Sequence, residues 1–197
     1  MIENKELKTE EQRIGELALR TAQWCNASLY QFNRFVSAVE FPNEGKTPWD
    51  QGESSSLLHA EKIFLVTALC QMIQYLEALQ NKLRERGDDS LTPLLDAVAT
   101  EDERKQIQQW RNINEHEREY IQGKGVKQNR AKDSSLFLSN FFVGVTDNMI
   151  YVNGNTKEFY LGRIRIDLLI SRIKENHSAI LERTKEIFNT YYYGIAP

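Results

Sequence analysis

The sequence predicts a mainly α-helical protein: an up-and-down helical bundle with a small antiparallel β-hairpin or meander inserted before the last helix. Apolar residues recur at steps of three or four over several long segments, which is typical of amphipathic helices. Stretches that contain glycine and proline separate these segments. A short late stretch is instead rich in β-branched and aromatic residues around Asn153-Gly154, which is a strong hairpin signal.

The length of the chain predicts one domain. With 197 residues and no internal repeat, the chain can bury a large core without disulfide bonds or metals. We therefore interpret residues 1–197 as a single helical domain, in which 141–162 form a β-hairpin insertion and 191–197 form a C-terminal tail.

Two long helices are predicted to open the bundle and to pair antiparallel. The first ends at Pro42, and the link through Pro48 is short, which leaves few other arrangements. Ser54-Ser55-Ser56 offers N-cap oxygens for the second helix, which ends at Gly87. The two apolar stripes comprise Ile14, Ala18, Ala22, Cys25, Leu29, Phe32, Val36 and Val39, and then Leu58, Leu65, Leu69, Met72, Leu76, Leu79 and Leu83.

Two further helix starts follow. Thr92-Pro93 has the pattern of a cap followed by proline at the first helical position, and Thr100 with Glu103 matches a capping box. The capping box opens a helix that we expect to run through about Ile121. Its apolar residues are few: Ile107, Trp110, Ile113 and Ile121. This helix is therefore expected to be partly exposed or to line a polar cleft.

The period of the apolar pattern then changes. Two or three short antiparallel strands are predicted over Phe141–Val145, Met149–Val152 and Glu158–Leu161. Such strands need a helix to pack on, since an isolated hairpin is marginally stable in water. Asp167 is predicted to cap the final helix. The stripe of that helix comprises Ile170, Ile173, His177, Ile180, Thr184 and Ile187.

Composition restricts the compartment and the kind of partner. The formal net charge of −3 gives no global basic field, so a site for a polyanion has to be a local patch. Cys25 and Cys70 fall in apolar helical stretches, which favours buried thiols in a reducing compartment over a disulfide. The charged N-terminal stretch does not resemble a signal peptide, and no run of apolar residues suggests a membrane span. We expect a cytoplasmic protein with no membrane partner.

No metal or cofactor is expected. The histidines His59, His116 and His177 lack the i, i+4 spacing of paired metal ligands. The Gly123-Lys124-Gly125 stretch is too short for a phosphate-binding loop and does not follow a strand. Catalysis, if the chain performs any, is expected to depend on its own side chains.

One polar group of residues could carry such chemistry. Asn112, His116, Glu119 and Tyr120 share one helical face, and the long side chain of Arg111 can reach toward it. Histidine can take and give a proton near neutral pH, and arginine can stabilise charge that develops on a phosphate. Together these residues are suited to metal-independent cleavage of RNA.

Arg111-Asn112 followed by three residues and His116 resembles the Arg-polar-x-x-x-His motif of HEPN-domain proteins. That family is helical and usually dimeric, and it includes metal-independent ribonucleases of toxin–antitoxin, abortive-infection and CRISPR systems. The resemblance implies that Arg111 and His116 are catalytic, with Asn112 as the accompanying polar residue. It also implies a homodimer in which two motif helices face each other across a cleft.

This chain departs from the family pattern in two places. Some toxins of the family carry a tyrosine two residues after the histidine, whereas here position 118 is arginine and the nearest tyrosine is Tyr120. The hairpin within 141–162 would be an addition to a minimal HEPN bundle. Many relatives also lack nuclease activity and serve as binding or scaffold domains.

A basic stretch directly follows the motif. Between Gly123 and Lys132 there are cations but no acidic residue, as expected of a loop that grips an RNA backbone. These predicted RNA-binding residues are Lys124, Lys127, Arg130 and Lys132. The alternative is a solvated loop beside a solvated helix face, in a non-catalytic helical module that dimerises or binds a protein partner.

Overall fold

The computed structural model describes residues 9–40, 48–115, 151–153 and 158–194. In this part of the chain the order of elements is α1 (Glu10–Glu40), α2 (Pro48–Arg84), α3 (Thr92–Val98), α4 (Glu101–Glu115), β1 (Tyr151–Asn153), β2 (Glu158–Leu161), β3 (Ile164–Arg165) and α5 (Ile166–Tyr193). The predicted fold class is confirmed, because the bundle is mainly α-helical with a small antiparallel sheet before its last helix.

Helices α1 and α2 pair antiparallel, as predicted. Near the end of α1, Arg34 Nη2 lies 2.5 Å from Glu61 Oε1, and Gln31 donates to the other oxygen of the same carboxylate. At the opposite end, Lys82 Nζ lies 3.1 Å from Glu10 Oε1. The contacts run in opposite directions along the two sequences, as an antiparallel pair requires.

A single apolar core lies between the long helices and reaches the sheet. Of the leucines predicted for the stripe of α2, those from Leu65 to Leu83 are buried together with Met72, whereas Leu58 is partly buried. The fully buried members of that stripe are Leu65, Leu69, Met72, Leu76, Leu79 and Leu83. Burial of each such side chain stabilises the fold by roughly 1.5–3 kcal/mol, so this stripe contributes strongly to the stability of the core.

The segment Ala60–Arg84 of α2 also has the length and apolar composition of a membrane-crossing helix. Buried core helices of globular domains share that composition, and 56% of its apolar window lies buried within the bundle. Here its apolar residues pack against the other helices.

Helix α2 ends in a Schellman turn. Gly87 has a φ of 82°, a conformation that a side chain would strain. Its N–H donates to the Arg84 carbonyl at 2.9 Å, and the Asp88 N–H donates to the Leu83 carbonyl at 3.0 Å. Both bonds satisfy carbonyls at the helix end, so the predicted stop at Gly87 has a defined geometry.

Three predicted helix caps are wrong. Helix α2 begins at Pro48, so Ser54-Ser55-Ser56 lies inside it. Proline suits a first helical turn because its missing N–H is not needed there. The N-cap of α3 is Leu91, and the Thr92 hydroxyl donates instead to Asp89 Oδ1 at 3.0 Å.

The third wrong cap is Asp167, because Arg165 occupies the N-cap position of α5. The Asp167 carboxylate accepts from the Phe159 N–H at 3.2 Å and from Arg165 Nε at 2.9 Å. These bonds from β2 and from the end of β3 keep the carboxylate away from the helix start. Burial tends to raise the pKa of Asp167, but the bonds from Arg165 and Phe159 outweigh it, so its pKa is lowered.

The sheet has the strand order β1-β2-β3 and is antiparallel throughout. Tyr151 lies opposite Tyr160 in the hairpin predicted around Asn153-Gly154. The sequence did not predict β3, and the predicted strand Phe141–Val145 lies outside the described residues. The Phe159 ring meets Phe32 and Phe35 of α1 edge-on, at centroid distances of 5.7 and 5.4 Å. Phe159 therefore packs the sheet against α1, and β2 and β3 also lie against α5.

Helix α5 runs antiparallel to α1 and continues through Tyr193, so the first residues assigned to the tail form its last turn. His177 Nε2 lies 2.7 Å from Asn26 Oδ1, which makes it a half-buried, hydrogen-bonded side chain. At the other end of the same interface, a Cβ added to Gly15 would lie 2.8 Å from Cβ of Tyr192. Glycine is needed there because the two helices approach so closely.

Candidate functional site

Helix α4 holds the first part of the predicted motif, and its local structure follows from the capping box. The Thr100 N–H donates to Glu103 Oε2 at 2.8 Å, and the Glu103 N–H donates to Thr100 Oγ1 at 3.3 Å. This reciprocal pair confirms the predicted start of the helix. Ile107 and Trp110 are fully buried, three residues apart on one face. The rest of α4 is largely polar, so only a narrow edge of the helix anchors it to the bundle.

Arg111 directly follows this anchored edge. Its side chain is half-buried, and Nη1 donates to Gln74 Oε1 of α2 at 3.3 Å. The guanidinium therefore lies at the boundary between α2 and α4.

The other predicted site residues lie at the limit of the described structure or beyond it. Asn112 belongs to α4, but its side chain is outside the described part. His116 lies outside the described residues, and so does the whole predicted RNA-binding set, namely Lys124, Lys127, Arg130 and Lys132. Of the predicted catalytic residues, the structure thus places the side chain of Arg111 alone, and its proximity to His116 stays a prediction.

A cleft of about 420 Å³ lies between α2, α3 and α4. Gln74, the acceptor for Arg111, is one of its lining residues, and so is Gln108, one turn earlier on α4. The walls of the cleft carry side-chain amides and ion pairs, and its floor is aliphatic. Its presence agrees with the expectation that this helix lines a polar cleft.

Arg104 holds the central ion pairs of the cleft. Its side chain is 14% exposed, and Nε lies 2.8 Å from Glu77 Oε1 while Nη1 lies 3.2 Å from Asp96 Oδ1. Nη1 also donates to the Ala99 carbonyl at 2.7 Å. Burial raises the pKa of Glu77, and the Arg104 charge and hydrogen bond offset only part of that effect. One guanidinium thus joins α2, the α3–α4 connection and α4.

The rim of the cleft carries two more paired cations. Lys105 Nζ lies 2.5 Å from Glu101 Oε1, and Arg84 Nε lies 2.9 Å from Asp89 Oδ1. The arginine and lysine side chains that line the cleft therefore all have carboxylate partners. The cleft offers hydrogen-bonding groups and paired charges instead of a concentrated positive field.

Sequence reasoning missed the half of this cleft that α2 provides. Gln74, Glu77, Gln80 and Arg84 recur at steps of three or four, which places them on one face of that helix. The signal was present in the sequence as a polar stripe beside the leucine stripe. The polar residues that remain on α2 outside its apolar stripe would have identified this face.

The described part of the chain brings no three His, Cys, Asp or Glu side chains together as a metal site would require. Cys25 and Cys70 are buried, and burial raises the pKa of the Cys25 thiol to about 12. A thiol with so high a pKa stays protonated at neutral pH and is a poor nucleophile.

No family model matches the chain, and neither a curated protein nor a solved structure was found to be similar to it. The resemblance to HEPN-domain proteins therefore depends on Arg111, Asn112 and His116.

Proposed function

We propose that the chain is a HEPN-like protein that binds RNA and cleaves it without a metal ion, as a component of a bacterial defence or toxin-type system. The observation that supports this proposal best is the position of Arg111. Its side chain is half-buried, and its guanidinium donates to Gln74 of a neighbouring helix, a residue that lines a polar cleft. An arginine held by the scaffold in this way loses little conformational freedom when it binds a phosphate.

In the proposed reaction His116 and Arg111 have different roles. His116 accepts the proton of a ribose 2′-hydroxyl, whose oxygen attacks the adjacent phosphorus. The bond from phosphorus to the 5′-oxygen breaks, and that oxygen takes up a proton from water, while His116 later returns its proton to the solvent. The products are a 2′,3′-cyclic phosphate and a free 5′-hydroxyl. Arg111 stabilises the negative charge that builds up on the phosphoryl oxygens, and Asn112 orients its neighbours.

The basic stretch after the motif would bind the RNA backbone. Lys124, Lys127, Arg130 and Lys132 would each release counterions on contact with a phosphate, so affinity should fall steeply with salt. We also propose that two copies of the chain form a homodimer, which places two motif helices across one cleft. Each RNA phosphate would then meet groups from both subunits.

The direct test is RNA cleavage in the presence of a chelator. Wild-type protein should cleave, whereas His116→Ala and Arg111→Gln should lose at least about a hundredfold in rate, as expected when a general base or a charge-stabilising group is removed. Arg20→Gln is the matched control, since it removes the same charge from an exposed site on α1. Cleavage that is equal in wild type and His116→Ala, or absent from both, would remove the catalytic claim.

A second candidate function has a separate observation in its favour. Tyr30 is 64% exposed, Leu57 47% and Phe64 56%, and these large apolar side chains come from the paired helices α1 and α2. Tyr30 and Leu57 line the same shallow groove. Such exposure is typical of an interaction surface, and a second copy of the chain is the occupant that a non-catalytic dimerisation module would need.

Phe64→Glu tests whether this surface is the dimer contact. If the surface joins two copies, the variant should be monomeric by light scattering at concentrations where the wild type is dimeric. Leu168→Glu, another exposed apolar position, is the control. A wild type that is itself monomeric, or a Phe64→Glu variant that still dimerises, would rule this surface out as the dimer contact.

A further inference from the structure

We propose that the cleft between α2, α3 and α4 is a pocket for one nucleobase of single-stranded RNA. This inference deepens the proposed function and rests on it for the choice of RNA as the partner. The inference is based on two observations. Amide and aliphatic side chains line the cleft, and Arg111 is hydrogen-bonded to one of these amides, that of Gln74.

The size and the floor of the cleft suit a flat ring. At about 420 Å³ the cleft falls within the range of about 300–1,000 Å³ that is usual for small organic ligands. Ile73 and Leu95 line it, and both are almost completely buried in the core. Aliphatic side chains of this kind give the face of a base a surface that excludes water.

The walls of the cleft suit the edge of a base. Gln74, Gln80, Asn81 and Gln108 contribute carboxamides, a group that carries both a donor and an acceptor. The Gln74 oxygen already accepts from Arg111, and the Gln80 amide bonds to Thr92. Gln80 is 4% exposed although it lines the cleft, so its amide is fixed in the protein interior. Paired donors and acceptors are what the Watson–Crick and Hoogsteen edges of unstacked bases require.

The charges of the cleft favour a neutral ligand over a free anion. Arg104 lies between Glu77 and Asp96, and Lys105 is paired with Glu101. A phosphate in the cleft would have to approach these carboxylates or displace them. A neutral base would not, and it could also lie against the plane of a guanidinium, a contact common in RNA recognition.

Gln74 connects this pocket to the proposed catalytic residues. Its side chain lines the cleft and accepts from Arg111 Nη1 at 3.3 Å. A base in the cleft would therefore hold its own ribose and phosphates close to the guanidinium. The pocket would select which nucleotide lies next to the cleaved phosphate, and the proposed nuclease would then have a base preference.

The test uses the full chain with free nucleosides, followed by two-dimensional NMR or calorimetry. Adenosine, guanosine, cytidine and uridine are compared with one another and with inorganic phosphate. We expect one nucleoside to bind more tightly than the rest and to shift the signals of cleft residues, and we expect phosphate to leave those signals unchanged. If no nucleoside binds, or if phosphate shifts the same signals as strongly, the pocket assignment is overturned.

Two rim variants make the test specific. Asn81→Leu and Gln108→Leu replace exposed amides, so folding should persist, and each should weaken nucleoside binding by about tenfold, as the loss of a well-placed hydrogen bond does. Gln23→Leu is the matched control, because it makes the same change at an exposed position of α1. Equal weakening in all three variants, or in none, would contradict the proposal.

The outcomes also separate this inference from the proposed function. If Arg111→Gln and His116→Ala abolish RNA cleavage but no nucleoside binds, the pocket fails and the nuclease proposal stands. If RNA is neither bound nor cleaved while a nucleoside still binds through the rim amides, the nuclease proposal fails. The cleft is then a nucleoside site without RNA.

Discussion

The two faces of α2 differ in what they contribute. One carries leucines and Met72, all withdrawn from solvent in a continuous core. The other carries Gln74, Glu77 and Gln80, which line a cleft with charged and amide neighbours. Burial of apolar area stabilises the first face strongly, whereas hydrogen bonds and ion pairs add little net stability to the second. A single helix can therefore supply a scaffold on one side and a set of positioned polar groups on the other.

The largest expected effect lies on the apolar face. Leu76→Ala should lower the free energy of unfolding by about 2–5 kcal/mol, because it removes buried methyl groups and leaves a cavity in the core. Urea denaturation followed by circular dichroism measures this change. Leu19→Ala, at a side chain 41% exposed on α1, is the control and should cost far less. Comparable losses from the two variants would mean that the core does not depend on this stripe.

The next effect concerns the start of α4. Thr100→Ala should destabilise the protein by about 1 kcal/mol, because the N–H of Glu103 loses its acceptor. Thr100→Ser keeps an oxygen in that position and should restore most of the loss. The same denaturation measurement compares the three proteins. If serine does no better than alanine, the hydroxyl does not cap the helix.

The stabilities contributed by Glu103 and Glu77 should respond to pH in opposite directions. Burial tends to raise the pKa of Glu103, but bonds from Arg172 and Thr100 outweigh it, so its pKa lies below the ordinary value of 4.5. Arg172 Nη2 lies 2.6 Å from Glu103 Oε1. A carboxyl with a lowered folded-state pKa stabilises the fold above its unfolded pKa. That stabilisation is lost as pH falls through the lowered value.

The pKa of Glu77 is shifted in the opposite direction, since burial raises it above 4.5. Its contribution is fully present below the unfolded pKa and is lost as pH rises through the folded one. The free energy of unfolding of Glu103→Gln, relative to wild type, should therefore be lower at neutral pH than in acid. The free energy of unfolding of Glu77→Gln, relative to wild type, should be higher at neutral pH than in acid. Unfolding curves between about pH 3 and pH 7 measure both trends. Parallel trends for the two variants would contradict the assigned pKa directions.

The smallest effect is expected at the rim. Lys105→Ala removes a pair with Glu101, and both side chains are mostly exposed to solvent. Water and salt screen such pairs, so the midpoint of denaturation should not move measurably. A clear loss would show that the rim charges belong to a larger stabilising network.

The sequence predicted what depends on local spacing. The Thr100–Glu103 box and the stop at Gly87 need only residues within one or two turns, and both are found in the structure. The cap assigned to Thr92 failed because Thr92 is itself the first residue of α3 and bonds to the nearby Asp89, whereas a more distant group competes for the side chain of Asp167. Asp167, for example, bonds to the backbone of β2.

The cleft could not be predicted because it depends on contacts distant in sequence. Gln74 and Arg111 are separated by 37 positions, and their contact is set by how α2 and α4 pack. The short strand β3 is likewise defined by its pairing with β2 instead of by its own composition. A sequence pattern shows which face of a helix is polar, but it does not show what lies opposite that face.

The close contact between Gly15 and Tyr192 also bears on the topology of the bundle. It places the beginning of α1 beside the end of α5, so the described helices start and finish at the same end of the molecule. A covalent tether between these two helix ends would need little length. It would restrict the unfolded ensemble through loop-closure entropy while leaving the helices where they are. The bundle is thus suited to cyclisation as a route to greater stability.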